Sequence, residues 1–182
     1  MLETGRLLLR RWKDSDREPF AEMNADPRVM EFFPGCLSRE ESDRFMDRIE
    51  THFDNHGYGL FAAELKAEAK LIGFIGLYVA TFQAHFTPAV EIGWRIATPY
   101  WNRGLATEGS QKVVEFGFQR LHLDGIVSFT VPENIASRRL MEKLGMTHNL
   151  ADDFDHPKLP EGHRLRRHVL YRLRNPNLGI GK

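Results

Sequence analysis

Residues 102–107, Asn-Arg-Gly-Leu-Ala-Thr, carry the clearest chemical signal in this sequence. Gly104 and Ala106 keep the side chains small, and Arg103 adds a full positive charge beside them. After them Ala106, Ser110, Val113, Val114, Gly117, Phe118 and Leu121 recur at a period near 3.6, leaving Glu108, Lys112, Glu115 and Gln119 for water. A helix therefore starts at this turn. Its first N–H groups lack intrahelical partners, and its dipole places roughly half a positive charge there. A phosphate reaches such groups only past small side chains. The turn is predicted to bind a diphosphate-bearing ligand.

The element that delivers the turn is a strand. Val90, Ile92, Trp94 and Ile96 alternate with Glu91, Gly93, Arg95 and Ala97, giving two unlike faces, and Thr98-Pro99 ends the alternation. Residues 104–109 also read as G-x-A-x-x-G, a loose dinucleotide fingerprint, with Glu133 in the region of a ribose-binding acid. A nicotinamide-binding protein is thus a rival reading. Against it, dinucleotide folds open with such a turn, whereas about half of this chain precedes it. No G-x-x-x-x-G-K-[ST] loop occurs.

Composition narrows the remaining classes. The 182 residues carry 25 basic and 25 acidic side chains, so bulk charge gives no reason to expect a nucleic-acid partner. Cys36 is the one cysteine, unable to form an internal disulfide or a thiolate cluster, and it lies in no recognisable nucleophile arrangement. His52 and His56 have the i, i+4 spacing of two metal ligands, but no H-E-x-x-H or third ligand accompanies them, so no metal is expected. The N-terminus lacks a signal-peptide pattern, and no apolar run approaches the ~18 residues of a membrane span. The expectation is a soluble, cytoplasmic protein of one domain, residues 1–182.

Along the chain, Arg6 to Trp12 reads as a strand. Ser15-Asp16-Arg17-Glu18 and Ser38-Arg39-Glu40-Glu41 are capping boxes, each opening a helix, and Pro27 closes the first. Phe32 and Phe33 lie in the loop between those helices. Tyr58–Leu65 and Lys70–Ala80 form a hairpin, with Gly73 and Gly76 at bulges or close approaches. A loop with Gln83 and His85 precedes the strand of Glu91. Gly125–Val131 is a buried strand; Asn134 caps a short helix that Gly145 ends. Met146–Phe154 and Arg167–Leu173 are the last strands, with His156 and His163 in a polar loop between them and the facing of Tyr171 undetermined.

Three segments in order carry a resemblance: Thr4-Gly5-Arg6-Leu7-Leu8-Leu9-Arg10, the Glu91-Ile92-Gly93 strand with its W-x-x-G-x-A-T-E turn, and Pro132 to Met146. Together they resemble the GNAT acetyltransferases, most closely the RimJ/RimL-like branch, over nearly the whole chain. The resemblance implies an α/β (α+β) GNAT fold: a mixed, mostly antiparallel twisted sheet with helices on both faces. It implies acetyl transfer from acetyl-CoA to a primary amine by direct attack in a ternary complex, in a splay between the strands of Glu91 and Gly125. Glu91 is then the base that takes the amine's proton, and Ser137 the hydroxyl meeting the sulfur. The backbone from Ile96 and Ala97 pairs with the pantetheine, which Asn134 also contacts. The amides of Asn102, Arg103, Gly104, Leu105, Ala106 and Thr107 hold the pyrophosphate. Phe32, Phe33 and Gln83 line the acceptor mouth. Trp101 stands where the broad family has Gln or Arg, and Asn102 where glycine is frequent.

The acceptor is left open between a protein or peptide N-terminus and a polyamine, antibiotic or other small amine, and the assembly between monomer and homodimer. A non-catalytic CoA-binding domain is the alternative from another class.

Overall fold

Capping chemistry and glycine placement fix most element ends. The computed structural model describes residues 1–176 and 178. In chain order these form β1 (Leu2–Glu3), β2 (Leu7–Arg10), α1 (Arg17–Ala25), α2 (Arg39–His56), β3 (Leu60–Leu65), β4 (Lys70–Ala80) and β5 (Ala89–Ile96). They continue with α3 (Leu105–Gln119), β6 (Gly125–Thr130), α4 (Ile135–Lys143), β7 (Thr147–His148), β8 (Phe154–Asp155) and β9 (Arg167–Arg174). The second predicted capping box is present: Ser38 Oγ accepts from Glu41 N at 3.2 Å, and Glu41 Oε2 accepts from Ser38 N at 2.8 Å. Gly57, at φ 75°, ends that helix in the left-handed conformation.

The chain divides into two compact units, the first made of residues 1–78 with 93–113 and the second of 79–92 with 114 onward. In the first, β1, β2, β3 and β4 are successive antiparallel neighbours. A register shift between Ala63 and Glu64 leaves Ile72 of β4 as an extra residue, a bulge beside Gly73. The two glycines of β4 are required by close backbones. A Cβ on Gly73, which sits at φ 144°, would lie 2.0 Å from the Arg95 carbonyl oxygen, and one on Gly76 would lie 2.1 Å from that of Gly59. Alternation along β4 sends successive side chains to opposite faces. Phe74 meets Phe20 of α1 and Phe45 of α2, at ring distances of 6.3 and 5.9 Å. On the opposite face, Ile75 sits so close to Gly109 of α3 that a Cβ there would lie 2.4 Å from its Cδ1. Helices thus cover both faces of this part of the sheet.

In the second unit β5 and β6 run parallel, whereas β6 and β9 pair antiparallel from Gly125 opposite Arg174 to Thr130 opposite Val169. Strands β7 and β8 also pair with β9. Val127, Phe154 and Leu170 form a core against which Phe82, Phe86, Ala89 and Phe129 pack. The sheet is mixed and mostly antiparallel, as expected. None of the helices among the described residues is long and apolar enough to cross a membrane.

Four local expectations are corrected. Ser15 caps nothing: a 3-10 turn over Asp14–Asp16 precedes α1, because the Asp16 carboxylate is drawn onto Arg10 and the Lys13 N–H. Met146–Phe154 is interrupted between β7 and β8 by a 3-10 turn, since Asn149 Oδ1 accepts from Ala151 N at 3.0 Å and so competes with the ladder. Glu108 faces protein rather than water, accepting from Thr4 and Arg6. His156 packs among Phe82, Phe129 and Phe154 instead of lying in a polar loop, and burial lowers its pKa to about 4.

Arg10 illustrates a satisfied buried charge. It is 7% exposed, donates to Asp16 at 2.7 and 2.9 Å and to Glu64 at 2.7 Å. Removing one carboxylate from such a network leaves charge uncompensated, at a cost of about 3–5 kcal/mol. Asp16→Ala is expected to lower stability by about 3 kcal/mol, with Glu64 retaining part of the compensation; the shift in urea midpoint measures it.

Candidate functional site

The turn of the first unit is shaped by backbone conformation. Asn102 sits at φ 57° and Gly104 at φ 73°, a region that glycine enters freely and asparagine tolerates better than most residues. This explains how Asn102 occupies a position where the resembling family often has glycine. Trp101 through Gly104 are exposed, while Leu105 turns into the core at 1% exposure. Glu108 N donates to Gly104 O at 3.0 Å, so the intrahelical bonds of α3 begin there. The N–H groups of the residues just before it have no such partner.

Two further contacts hold the turn. Trp101 Nε1 donates to Ile96 O at 2.6 Å, tying the loop to the end of β5. Arg6 donates through Nε to Glu108 Oε2 at 2.6 Å and through Nη1 to Arg103 O at 2.8 Å, and its Nη2 lies 3.6 Å from where a Cβ on Gly104 would stand. Arg6 and Arg103 both place guanidinium groups at this turn, with Arg103 5.5 Å from the Tyr100 ring. The arrangement fits a diphosphate: small side chains, outward N–H groups and two cations. Sequence reasoning did not place Arg6 at this turn, because the groups it meets, Glu108 and the Arg103 carbonyl, lie far away in the chain.

In the second unit, Glu91 lies opposite Val127, the one position at which β5 and β6 pair. Beyond it the Ser128 hydroxyl, not a backbone N–H, donates to Ile92 O at 2.9 Å. The ladder between the two strands is thus short. Glu91 is half-buried and forms no ion pair among the described residues. Desolvation raises its pKa from 4.5 to about 8. A carboxylate in this state can accept a proton near neutral pH.

Asn134 Oδ1 accepts from Ser137 N at 3.2 Å, as its N-cap role requires, and Asn134 Nδ2 donates to Thr130 Oγ1 at 3.0 Å. Both ends of the amide are engaged. Ser137 is half-buried in the first turn of α4. The Tyr171 hydroxyl, left undetermined by the sequence, donates to Glu142 Oε1 at 3.0 Å, and the residue is 2% exposed.

Gln83 is exposed on the loop of residues 81–88, which is anchored by Phe82, Phe86 and the Thr87 hydroxyl on Phe82 O at 2.5 Å. Phe32 and Phe33 are half-buried, and the Phe33 ring lies 4.0 Å from the Arg95 guanidinium carbon. His52 is buried, stacked 4.1 Å from Tyr78, with Nδ1 2.8 Å from Tyr58 O, and desolvation lowers its pKa. Among the described residues no three His, Cys, Asp or Glu side chains gather as a metal site would require. A groove of about 700 Å³ is lined by Arg10, Met23, Asp26, Ala97, Thr98 and Tyr100, among others, and shares only Ala97 with the predicted site residues.

Comparison with known proteins identifies the family. The GNAT acetyltransferase domain matches residues 6–147. The uncharacterized N-acetyltransferase YnaD of Bacillus subtilis is 35% identical over 146 residues, covering 80% of this chain and 81% of that protein. A GNAT-family acetyltransferase structure from Bacillus anthracis superposes with a TM-score of 0.78 at 27% identity, covering 96% of this chain and 98% of that one. Spermidine N-acetyltransferase from Vibrio cholerae, solved with CoA and spermine, shares the fold with a TM-score of 0.73 at 19% identity, covering 94% and 97% of the two chains. The chain belongs to the GNAT acetyltransferase family and is an acetyl-CoA-dependent N-acetyltransferase.

Proposed function

We propose that this protein is one GNAT domain of the RimJ/RimL-like branch, transferring the acetyl group of acetyl-CoA to a primary amine by direct attack. The observation that carries the reading is the Glu91 carboxyl, desolvated and raised to about 8 without an ion-pair partner. Acetyl-CoA supplies an activated acyl group as a thioester. Binding falls to the turn: amides of Asn102, Arg103, Gly104, Leu105, Ala106 and Thr107 face the diphosphate, and Arg6 and Arg103 add charge. Backbone at Ile96 and Ala97 meets the pantetheine arm; one lone pair of Ile96 O is already engaged by Trp101. Asn134 acts mainly by capping α4, which sets Ser137.

Glu91 takes the proton of the incoming ammonium, directly or through water, so that the amine lone pair can form the new N–C bond while the C–S bond breaks. The Ser137 hydroxyl donates towards the departing sulfur. Phe32, Phe33 and Gln83 belong to the acceptor side. A protein or peptide N-terminus is the first acceptor to test. The zero formal charge offers little to attract a polyamine over distance.

Five measurements test the reading. Thermal unfolding is expected to shift upward with acetyl-CoA and CoA, by about 5–10 °C at 100 times Kd; a shift with NAD alone would overturn the donor assignment. Gly104→Val, which puts a β-branched residue at φ 73° and fills the turn, is expected to raise the acetyl-CoA KM about tenfold or more. kcat should rise with pH as Glu91 loses its proton near 8, and Glu91→Gln should remove that limb and lower kcat by about 100-fold. Because the folded protein keeps this proton where the unfolded chain has lost it, Glu91 makes stability fall as pH rises from 4.5 to about 8; the glutamine variant should lose that slope. Phe33→Ala should raise the acceptor KM while leaving acetyl-CoA affinity unchanged, whereas equal loss of both would make Phe33 a core residue only.

A further inference from the structure

We infer that Arg95 recognises a carboxylate carried by the amine acceptor, so that the preferred acceptors are amines that also bear an anionic group. This rests on the acetyltransferase reading above and names the chemistry of its acceptor.

Arg95 is 7% exposed, yet no carboxylate forms an ion pair with it among the described residues. Its one hydrogen bond runs from Nη1 to Asn24 Oδ1 at 2.5 Å, and its Nε has no partner. Asn24, itself fully buried, is held for this contact by donating through Nδ2 to Ser42 Oγ at 2.8 Å. The other neighbours are aromatic: Phe33 at 4.0 Å, Phe74 at 5.3 Å and Phe45 at 5.6 Å from the guanidinium carbon. Ring faces attract a cation but do not replace hydrogen bonds to five N–H donors.

The contrast with Arg10 is instructive. Both arginines are equally buried, but Arg10 has two carboxylates and Arg95 has none. An uncompensated buried charge destabilises a fold, and an apolar residue of similar size at the same place is commonly neutral or better. Desolvation lowers the Arg95 pKa only to about 10, so it stays charged at neutral pH. Packing alone does not account for arginine here. What the site lacks is an anion, and a carboxylate matches the guanidinium fork with two parallel hydrogen bonds, one of them to the unused Nε. The nearest ring, Phe33, is half-buried in the loop between α1 and α2, the loop assigned above to the acceptor side.

The test uses paired probes on the full-length protein: ω-amino acids of two to six carbons and short peptides with an acidic residue, each beside its amide, with spermidine and inorganic phosphate as further arms. Binding is read as a thermal shift and turnover as CoA release. The carboxylate members should bind about tenfold more tightly than their amides. Arg95→Met should abolish that ratio, keep the acetyl-CoA shift and melt no lower than the wild type; Arg95→Lys should restore part of it. Equal binding of acids and amides by the wild-type protein would overturn the proposal without needing any variant. So would a preference for spermidine, an equal response to inorganic phosphate, or an Arg95→Met variant that melts far lower yet keeps the ratio. Arg95-dependent carboxylate binding without CoA release from any amine would uphold this site and sink the acetyl-transfer reading. CoA release that ignores the carboxylate would do the reverse.

Discussion

The constraint on which the turn of residues 102–107 depends is the carboxylate of Glu108. It accepts from the Thr4 hydroxyl at 2.5 Å, the Arg6 N–H at 2.8 Å and the Arg6 guanidinium at 2.6 Å. Burial pushes its pKa up, but these donors outweigh burial and hold it below the ordinary value. Its contribution to stability is therefore present above pH 4.5 and is lost as pH falls through the lowered folded value. Through this one side chain the first turn of α3 is tied to the start of β2, and Arg6, fixed by Glu108, reaches back to the Arg103 carbonyl. The small-residue turn is thereby held open by charge-assisted bonds lying behind it.

Charge is handled in three different ways in this chain. Arg10, with Asp16 and Glu64, is a closed network that contributes to folding and leaves nothing for a ligand. Glu108 is closed on one side and supports a site. Arg95 is open, with an unpartnered Nε and rings where carboxylates would stabilise it. At equal burial, Arg10 and Arg95 thus differ in whether the fold itself supplies the charge's partners.

Glu91 follows the same logic with the opposite sign. No neighbouring anion raises its pKa; loss of water alone does so. The β5–β6 pairing is short: this carboxylate stands at its one paired position, and next to it the Ser128 hydroxyl donates to Ile92 O. Desolvation there brings the carboxyl's pKa to about 8, the value on which its proposed role as base rests.

The sequence alone determined what depends on neighbours in the chain. Period-two alternation around Glu91 marked β5, the Ser38 box marked α2, and Gly104 with Ala106 marked the turn into α3, because strand faces, caps and small-residue turns are local physics. Gly73 and Gly76 were legible as close approaches for the same reason, although the groups they approach were not. Where long-range charge competed with local preference, the reading failed. Ser15 lost its cap to the pull of Arg10 on Asp16, Glu108 left the solvent for Thr4 and Arg6, and Asn149 turned the chain where a strand was expected. The partners of Arg6 and the unpartnered Nε of Arg95 had no local signature at all. Only the tertiary structure decided which buried charges found partners and which did not, because the partner of a charge is set by packing between segments far apart in sequence.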